Sequence, residues 1–182
     1  MALESLVDNT RTDKNTLHSY LPVYESLFAP KRQTAKHVLE IGIAQGGSIK
    51  LWRDYFPTAT IHAVDIYSES ELPSDVNELQ NVSWYPNTDA YSPDFLRKLP
   101  NPLDVVIDDG PHTLQSQKEC IAMYLPNLAK GGLLVIEDIA TLDWIPELRA
   151  AIPSECPCQV TVYDLRDRKQ RHDDILLVLQ KI

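Results

Sequence analysis

Two acid-rich stretches of this chain have the residue types for chemistry: Ile107-Asp108-Asp109-Gly110-Pro111-His112 and Val135-Ile136-Glu137-Asp138. Each follows a dense apolar run. Gathering Asp108, Asp109, Glu137 and Asp138 in one place is costly unless a cation or hydrogen-bond donors compensate. Hard oxygen ligands in this number suit Mg²⁺, which keeps several waters and takes a few carboxylates plus substrate oxygens. His112 is a candidate general base, because an imidazole with an ordinary pKa near ~6.5 accepts a proton at neutral pH. Each motif alone has a plainer reading: an Asp-Asp-Gly turn, a loop-opening Glu-Asp, a surface or N-cap histidine.

Glycine marks a third stretch. The chain has 6 glycines against 13 prolines in 182 residues, and they fall in three places: Gly42, Gly46 and Gly47; Gly110; Gly131 and Gly132. In Glu40-Ile-Gly42-Ile-Ala-Gln-Gly46-Gly47-Ser48, Gly42 permits a sharp turn and Gly46-Gly47 permits close approach of a ligand to the backbone. Ala44 stands where G-x-G-x-x-G needs glycine, and no Gly-Lys-Ser/Thr follows. The segment therefore suits a nucleoside better than a diphosphate, and Glu40 would repel a pyrophosphate. Asp65 closes a later apolar run, where a carboxylate can accept both hydroxyls of a ribose. Gly131-Gly132 reads as a helix stop.

These stretches need elements to position them. Apolar spacing over Asn15 to Phe28 predicts a helix ended by Pro30, after about ten frayed or loosely docked residues. Strand-like runs follow at 37–42, 60–65, 82–85, 103–108 and 133–137, with helices at 48–55, where Ser48 stands near the N-cap, and at 115–128. Two final strands at 160–163 and 175–179 have no helix between them and can pair antiparallel. Continuous apolar strands alternating with helices imply a parallel sheet covered on both faces, with ligands at the carboxyl ends of the strands. The acid and glycine stretches lie at those ends.

Composition narrows the partners. With 17 basic and 26 acidic residues, the net charge of -9 disfavours nucleic acid. The one basic run, Arg166 to Arg171, reads as a solvated hairpin loop. No apolar run reaches membrane-spanning length and the N-terminus lacks a signal-peptide pattern. An odd cysteine count (Cys120, Cys156, Cys158) points to free thiols in a reducing, cytoplasmic setting. At this length the expectation is one domain, with residues 1–30 a helical segment or lid on a core at 36–182.

Glu-x-Gly-x-x-x-Gly-Gly-Ser resembles motif I of class I S-adenosylmethionine-dependent methyltransferases. Thr12-Asp-Lys14, His18, Tyr20, Tyr24-Glu25, Leu51-Trp-Arg-Asp-Tyr-Phe-Pro57 and Asp65 resemble the macrocin and mycinamicin O-methyltransferase subgroup. The likeness runs from about Thr12 onward; Arg11 and Asn15 depart from it, as does Asn87-Thr-Asp89, where the family has a Gly-Asp-Gln-like adenine turn. It implies a doubly wound, Rossmann-like sheet ordered 3-2-1-4-5-7-6 with the last strand antiparallel. Asp-Asp-Gly-x-His and Ile-Glu-Asp match the metal-dependent subgroup, so Asp109, Glu137 and Asp138 look like Mg²⁺ ligands and His112 like the base. Asp108 looks like a supporting or cofactor-side acid. The cofactor set is then Glu40, Gly42, Gly46, Gly47, Ser48, Asp65, Ile66, Asp89 and Asp108, with Tyr20, Tyr24 and Trp144 as wall or lid residues and core packing an equal reading for Tyr24. The implied activity is metal-assisted O-methylation of a small molecule such as a sugar, glycoside or diol. No nucleic acid or membrane partner is expected, and homo-oligomerisation is left open. The rival readings are a non-catalytic S-adenosylmethionine-binding relative and an NAD-linked oxidoreductase of the same sheet class.

Overall fold

The computed structural model describes residues 2–182. Its strands are β1 (His37–Ile41), β2 (Thr60–Val64), β3 (Val82–Tyr85), β4 (Leu103–Asp108), β5 (Leu128–Ile136), β6 (Cys158–Asp164) and β7 (Ile175–Lys181). They form one sheet in the order β3-β2-β1-β4-β5-β7-β6. The first five pair in parallel, and β7 lies antiparallel to both β5 and β6. The helices are α1 (Leu21–Phe28), α2 (Gly47–Tyr55), α3 (Ser74–Asn77), α4 (Pro93–Leu96), α5 (Leu114–Tyr124), α6 (Ile145–Ala150) and α7 (Arg166–Lys169). This is the doubly wound, Rossmann-like arrangement expected, last strand included.

Alternation along each strand divides the core between two faces. On one face Val38, Val105 and Val135 pack with the aromatic side chains of α1 and α2: Tyr24, Phe28, Trp52 and Tyr55. On the other, Leu39, Val106 and Leu134 meet Phe95 of α4, Cys120, Ile121 and Tyr124 of α5, and Leu148 of α6. Both faces being covered explains why the central strands read as unbroken apolar runs.

Several expected boundaries differ. The N-terminal helix covers only Leu21–Phe28, because Pro22 fits the first turn of a helix and not its interior. Before it, Asp13 O accepts from the amides of Thr16, Leu17 and His18, a compact turn. The segment from Leu3 on is docked, not frayed: Leu3 is fully buried and its amide donates to Glu25 Oε2 at 2.7 Å. The residue capping α2 is Gly46, at φ +71°, and Ser48 lies inside the first turn. The helix α5 stops at Tyr124, one residue before Leu125-Pro126, since the position before proline disfavours helical geometry. Gly131-Gly132 therefore is no helix stop. Both lie within β5, where Leu103 pairs with Leu128 but Val105 with Leu133, so β5 bulges there with Gly131 at φ +74°. The basic run is not merely solvated: it contains α7, whose Lys169 Nζ donates to Asn15 O and His18 O.

Candidate functional site

The carboxyl ends of β2, β1, β4 and β5 are tied each to the next by backbone hydrogen bonds. Gly42 N donates to Val64 O, Asp109 N to Ile41 O, and Glu137 N to Asp108 O, at 2.9, 3.0 and 3.0 Å. Gly42, at φ +94°, is the closest approach: a Cβ there would lie 2.1 Å from Asp109 O. So the glycine loop and the first acid loop are held in one register. His112 and Asp138 both adopt left-handed backbone, at φ +51° and +52°, which costs energy in non-glycine residues.

A cavity of about 880 Å³ opens at this edge. Gly42, Ser48, Asp65, Ile66, Asp89, Asp109, His112 and Asp138 line it, as do Asn9 to Asp13 of the N-terminal segment. Asp65 is already anchored there: Oδ2 accepts from Ile43 N at 2.8 Å and Oδ1 from Tyr67 N at 3.1 Å. Ile66 and Tyr67 stand exposed beside it. Arg11 closes the glycine loop from outside, its Nε donating to Gln45 O and its guanidinium pairing with Asp75 of α3.

Five of the expected residues do not line the cavity. Gly46 and Gly47 make room for protein, not ligand: Cβ atoms there would meet Val76 Cγ2 at 2.2 Å and the Arg11 backbone at 2.5 Å. Asp108 points to the opposite face of the sheet, accepting from Tyr91 Oη at 2.7 Å; burial pushes its carboxyl up to about 6 against that hydrogen bond. Glu40 and Glu137 lie beneath the floor, in an inner layer of charge. Burial pushes the Glu40 carboxyl up to about 7, although Lys14 opposes the shift.

The centre of that layer is Lys14, only 1% exposed. Its Nζ donates to Glu137 Oε2 at 2.6 Å and Asp109 Oδ2 at 2.7 Å, and lies 3.4 Å from Glu40 Oε1. Burial alone would lower the lysine pKa, yet the charges of Asp109, Glu137 and Glu40 outweigh it and hold the ammonium well above its usual value. Tyr24 donates its hydroxyl to Glu137 Oε1, and Tyr20 donates to Asp138 Oδ1 at 2.5 Å. His18, buried and stacked on Tyr20, lies 3.3 Å from Asp138 Oδ1 and 3.4 Å from Asp174 Oδ1. Tyr20 and Tyr24 are thus core residues that hold acids from behind, not walls over an acceptor. Trp144 packs against the other face of the sheet and does not reach the cavity.

What remains toward the cavity is an outer layer. Asp109 Oδ1 and Asp138 Oδ2 each lie 3.6 Å from His112 Nε2. Asp109, His112 and Asp138 offer donor atoms within 4.8 Å of one another, as do Glu40, Asp109 and Glu137. The second group already encloses the Lys14 ammonium. The first suits a divalent cation that takes two carboxylate oxygens and fills its other positions with water or substrate oxygen. Glu137, with both oxygens engaged, joins such a set by giving up Lys14 or Tyr24. The acid loops marked Asp108, Asp109, His112, Glu137 and Asp138 together, and of these Asp109, His112 and Asp138 line the cavity. Sequence reasoning missed the role of Lys14, although the carboxylate excess signalled that a cation or several donors had to come from elsewhere in the chain.

A family model described as a methyltransferase domain matches residues 39–139. The 8-demethyl-8-alpha-L-rhamnosyl tetracenomycin-C 2'-O-methyltransferase of Streptomyces olivaceus is 35% identical over 143 residues, which is 73% of this chain and 36% of that protein. The mycinamicin VI 2''-O-methyltransferase of Micromonospora griseorubida is 33% identical over 147 residues, 77% of this chain and 36% of that protein. The chain thus spans about a third of the length of these curated relatives. Among solved structures, the MycE methyltransferase of the mycinamycin pathway in complex with Mg, SAH and mycinamycin VI superposes over the whole chain and 54% of its own, with a TM-score of 0.77 and 25% identity.

Proposed function

Because the chain belongs to the class I S-adenosylmethionine-dependent methyltransferases, related to the macrocin- and mycinamicin-type O-methyltransferases, we propose that it transfers a methyl group from S-adenosylmethionine to a hydroxyl of a sugar or glycoside. The observation that carries this reading is the shared edge. One cavity runs from Asp65 and the Gly42 turn to Asp109, His112 and Asp138. A nucleoside held by Asp65 and flanked by Ile66 and Asp89 would place its reactive end toward the acids, where an acceptor can meet it in line.

The chemistry is a displacement in which the acceptor's carbon–oxygen bond to the methyl forms as the sulfonium's carbon–sulfur bond breaks. Mg²⁺, when bound, supplies Lewis acidity that lowers the pKa of the acceptor hydroxyl. Asp109 and Asp138 are the acids with oxygens turned to the cavity, and Glu137 is the third of the set. His112 Nε2, between the two outer carboxylates, receives the hydroxyl proton; their negative charge stabilises the imidazolium that results. The Tyr20 hydroxyl holds Asp138 Oδ1 and so keeps Oδ2 directed at His112. MycE is described with Mg and SAH bound, which supports the same pair of ligands here.

The test is methyl transfer from labelled S-adenosylmethionine to a panel of rhamnosides and other deoxysugar glycosides, with Mg²⁺ and with EDTA. Wild type is expected to turn over an acceptor with Mg²⁺ and to lose that turnover in EDTA. Asp109→Ala is expected to keep S-adenosylhomocysteine affinity within about threefold while losing turnover by about 10²-fold or more. An Asp109→Ala chain fully active in EDTA would remove the metal from this account.

A further inference from the structure

Four carboxylates, those of Glu40, Asp109, Glu137 and Asp138, crowd beneath and along the cavity floor, and the cation among them is a lysine of the N-terminal turn. The two acids nearest the cavity are each split between an inner and an outer oxygen. Lys14 Nζ takes Asp109 Oδ2 and leaves Oδ1 facing His112; the Tyr20 hydroxyl takes Asp138 Oδ1 and leaves Oδ2 facing His112. Glu137 has no outer oxygen, because Lys14 and Tyr24 hold one each.

We propose that Lys14 is a positioning residue that serves as the site's resident cation: its ammonium neutralises the inner carboxylates, fixes which oxygens of the acid cluster face the cavity, and thereby keeps divalent-ion binding weak and exchangeable. The inference rests on the metal reading above for what binds at the outer pair. Its inner half stands on this chain alone. Glu40, Asp109 and Glu137 bring donor oxygens within 4.8 Å of one another around the ammonium, so removing the positive charge leaves an all-oxygen set with nothing to balance it. A divalent ion is the cation that set would then recruit. In wild type the ammonium competes for the same oxygens, and the fold does not depend on an ion to hold its acids together.

The experiment titrates Mn²⁺ into the full chain by calorimetry and follows thermal unfolding with and without Mn²⁺. Lys14→Met and Lys14→Gln are compared with wild type; glutamine can still donate hydrogen bonds but carries no charge. Both variants are expected to bind Mn²⁺ at least about tenfold more tightly, since one repulsive unit charge a few ångströms away is gone. Both are also expected to gain far more thermal stability from the ion than wild type gains. A role in packing alone would lower thermal stability and leave ion affinity where it was. Variants that fold with unchanged or weaker Mn²⁺ affinity overturn the proposal, as do variants that stay unfolded whether or not Mn²⁺ is supplied. If Lys14→Gln keeps wild-type affinity while Lys14→Met does not, charge is not the operative property and the proposal fails. Wild type that binds no Mn²⁺ counts against the metal reading instead, because the Lys14 inference turns on the difference between variants and wild type.

Discussion

His112 has the shortest route from structure to chemistry of any residue here. Its Nε2 sits between two carboxylate oxygens at equal distance, on a backbone turned into left-handed geometry, and it opens to the cavity. A side chain so placed can take a proton and have its new charge stabilised without reorganising anything. His112→Gln is therefore expected to lower turnover by about 10²- to 10⁴-fold with S-adenosylhomocysteine affinity unchanged. Turnover within tenfold of wild type would show that solvent, not this imidazole, accepts the proton. At this scale the sequence was a good guide wherever chemistry and chain position coincide. Asp109, His112 and Asp138 lie in the loops after β4 and β5 and were legible as candidates, together with Asp108 and Glu137. Lys14 was not, because a polar turn between Thr12 and Ser19 has the same pattern whether it is solvated or folded under a floor of acids. Only the three-dimensional return of that turn to β4 and β5 buries its lysine among the acids of the site.

The elements were legible where their pattern has one physical cause. Strands β1, β2 and β4 are mostly apolar because helices cover both faces of the sheet, and their residues say so directly. Glycine is less informative, since the same residue serves a helix stop, a bulge or a close contact. Gly131 illustrates this: it sits in a bulge of β5 at φ +74° with open space where a Cβ would go. Gly131→Ala should then cost only the backbone penalty, about 1–2 kcal/mol, measured by urea unfolding. A neutral result would mean that the bulge relaxes. The pair β1–β2 carries a pH dependence of its own. His62 lies buried in β2 with its Nε2 3.3 Å from His37 Nδ1, and burial followed by that neighbour pushes its pKa down to about 4. The native state thus keeps His62 neutral while the unfolded chain protonates it near ~6.5. Its contribution to stability is complete above that pH and is lost as pH falls from ~6.5 toward 4, the unfolded state binding the extra proton. His62→Phe, which removes this titration, is expected to show a smaller fall in melting temperature over that window than wild type. Equal falls would assign the acid sensitivity elsewhere.

Across the whole molecule, the excess of acidic residues and the site belong to one design. Of the 26 acidic residues, Asp13, Asp65, Asp89, Asp109 and Asp138 line the cavity at one sheet edge. That edge is completed by the N-terminal segment, which supplies Lys14, His18, Tyr20 and Tyr24 to the acids and Asn9 to Asp13 to the cavity wall. Residues before β1 are thus part of the site and not a separate cover. Among the described residues no helix is long and apolar enough to cross a membrane. The fold as a whole was readable from the alternation of apolar strands with helices; the dependence of the site on its N-terminal turn was not, since it is a tertiary contact between residues about a hundred positions apart.

On the proposed function, the cavity beside Asp109, His112 and Asp138 holds the nucleoside of S-adenosylmethionine. The most direct measurement is calorimetric titration of the purified chain with S-adenosylmethionine and, separately, with NAD. One-to-one binding of S-adenosylmethionine, lost in Asp65→Ala, is expected, with no heat from NAD. Binding of NAD without S-adenosylmethionine, or S-adenosylmethionine affinity untouched by Asp65→Ala, would contradict it.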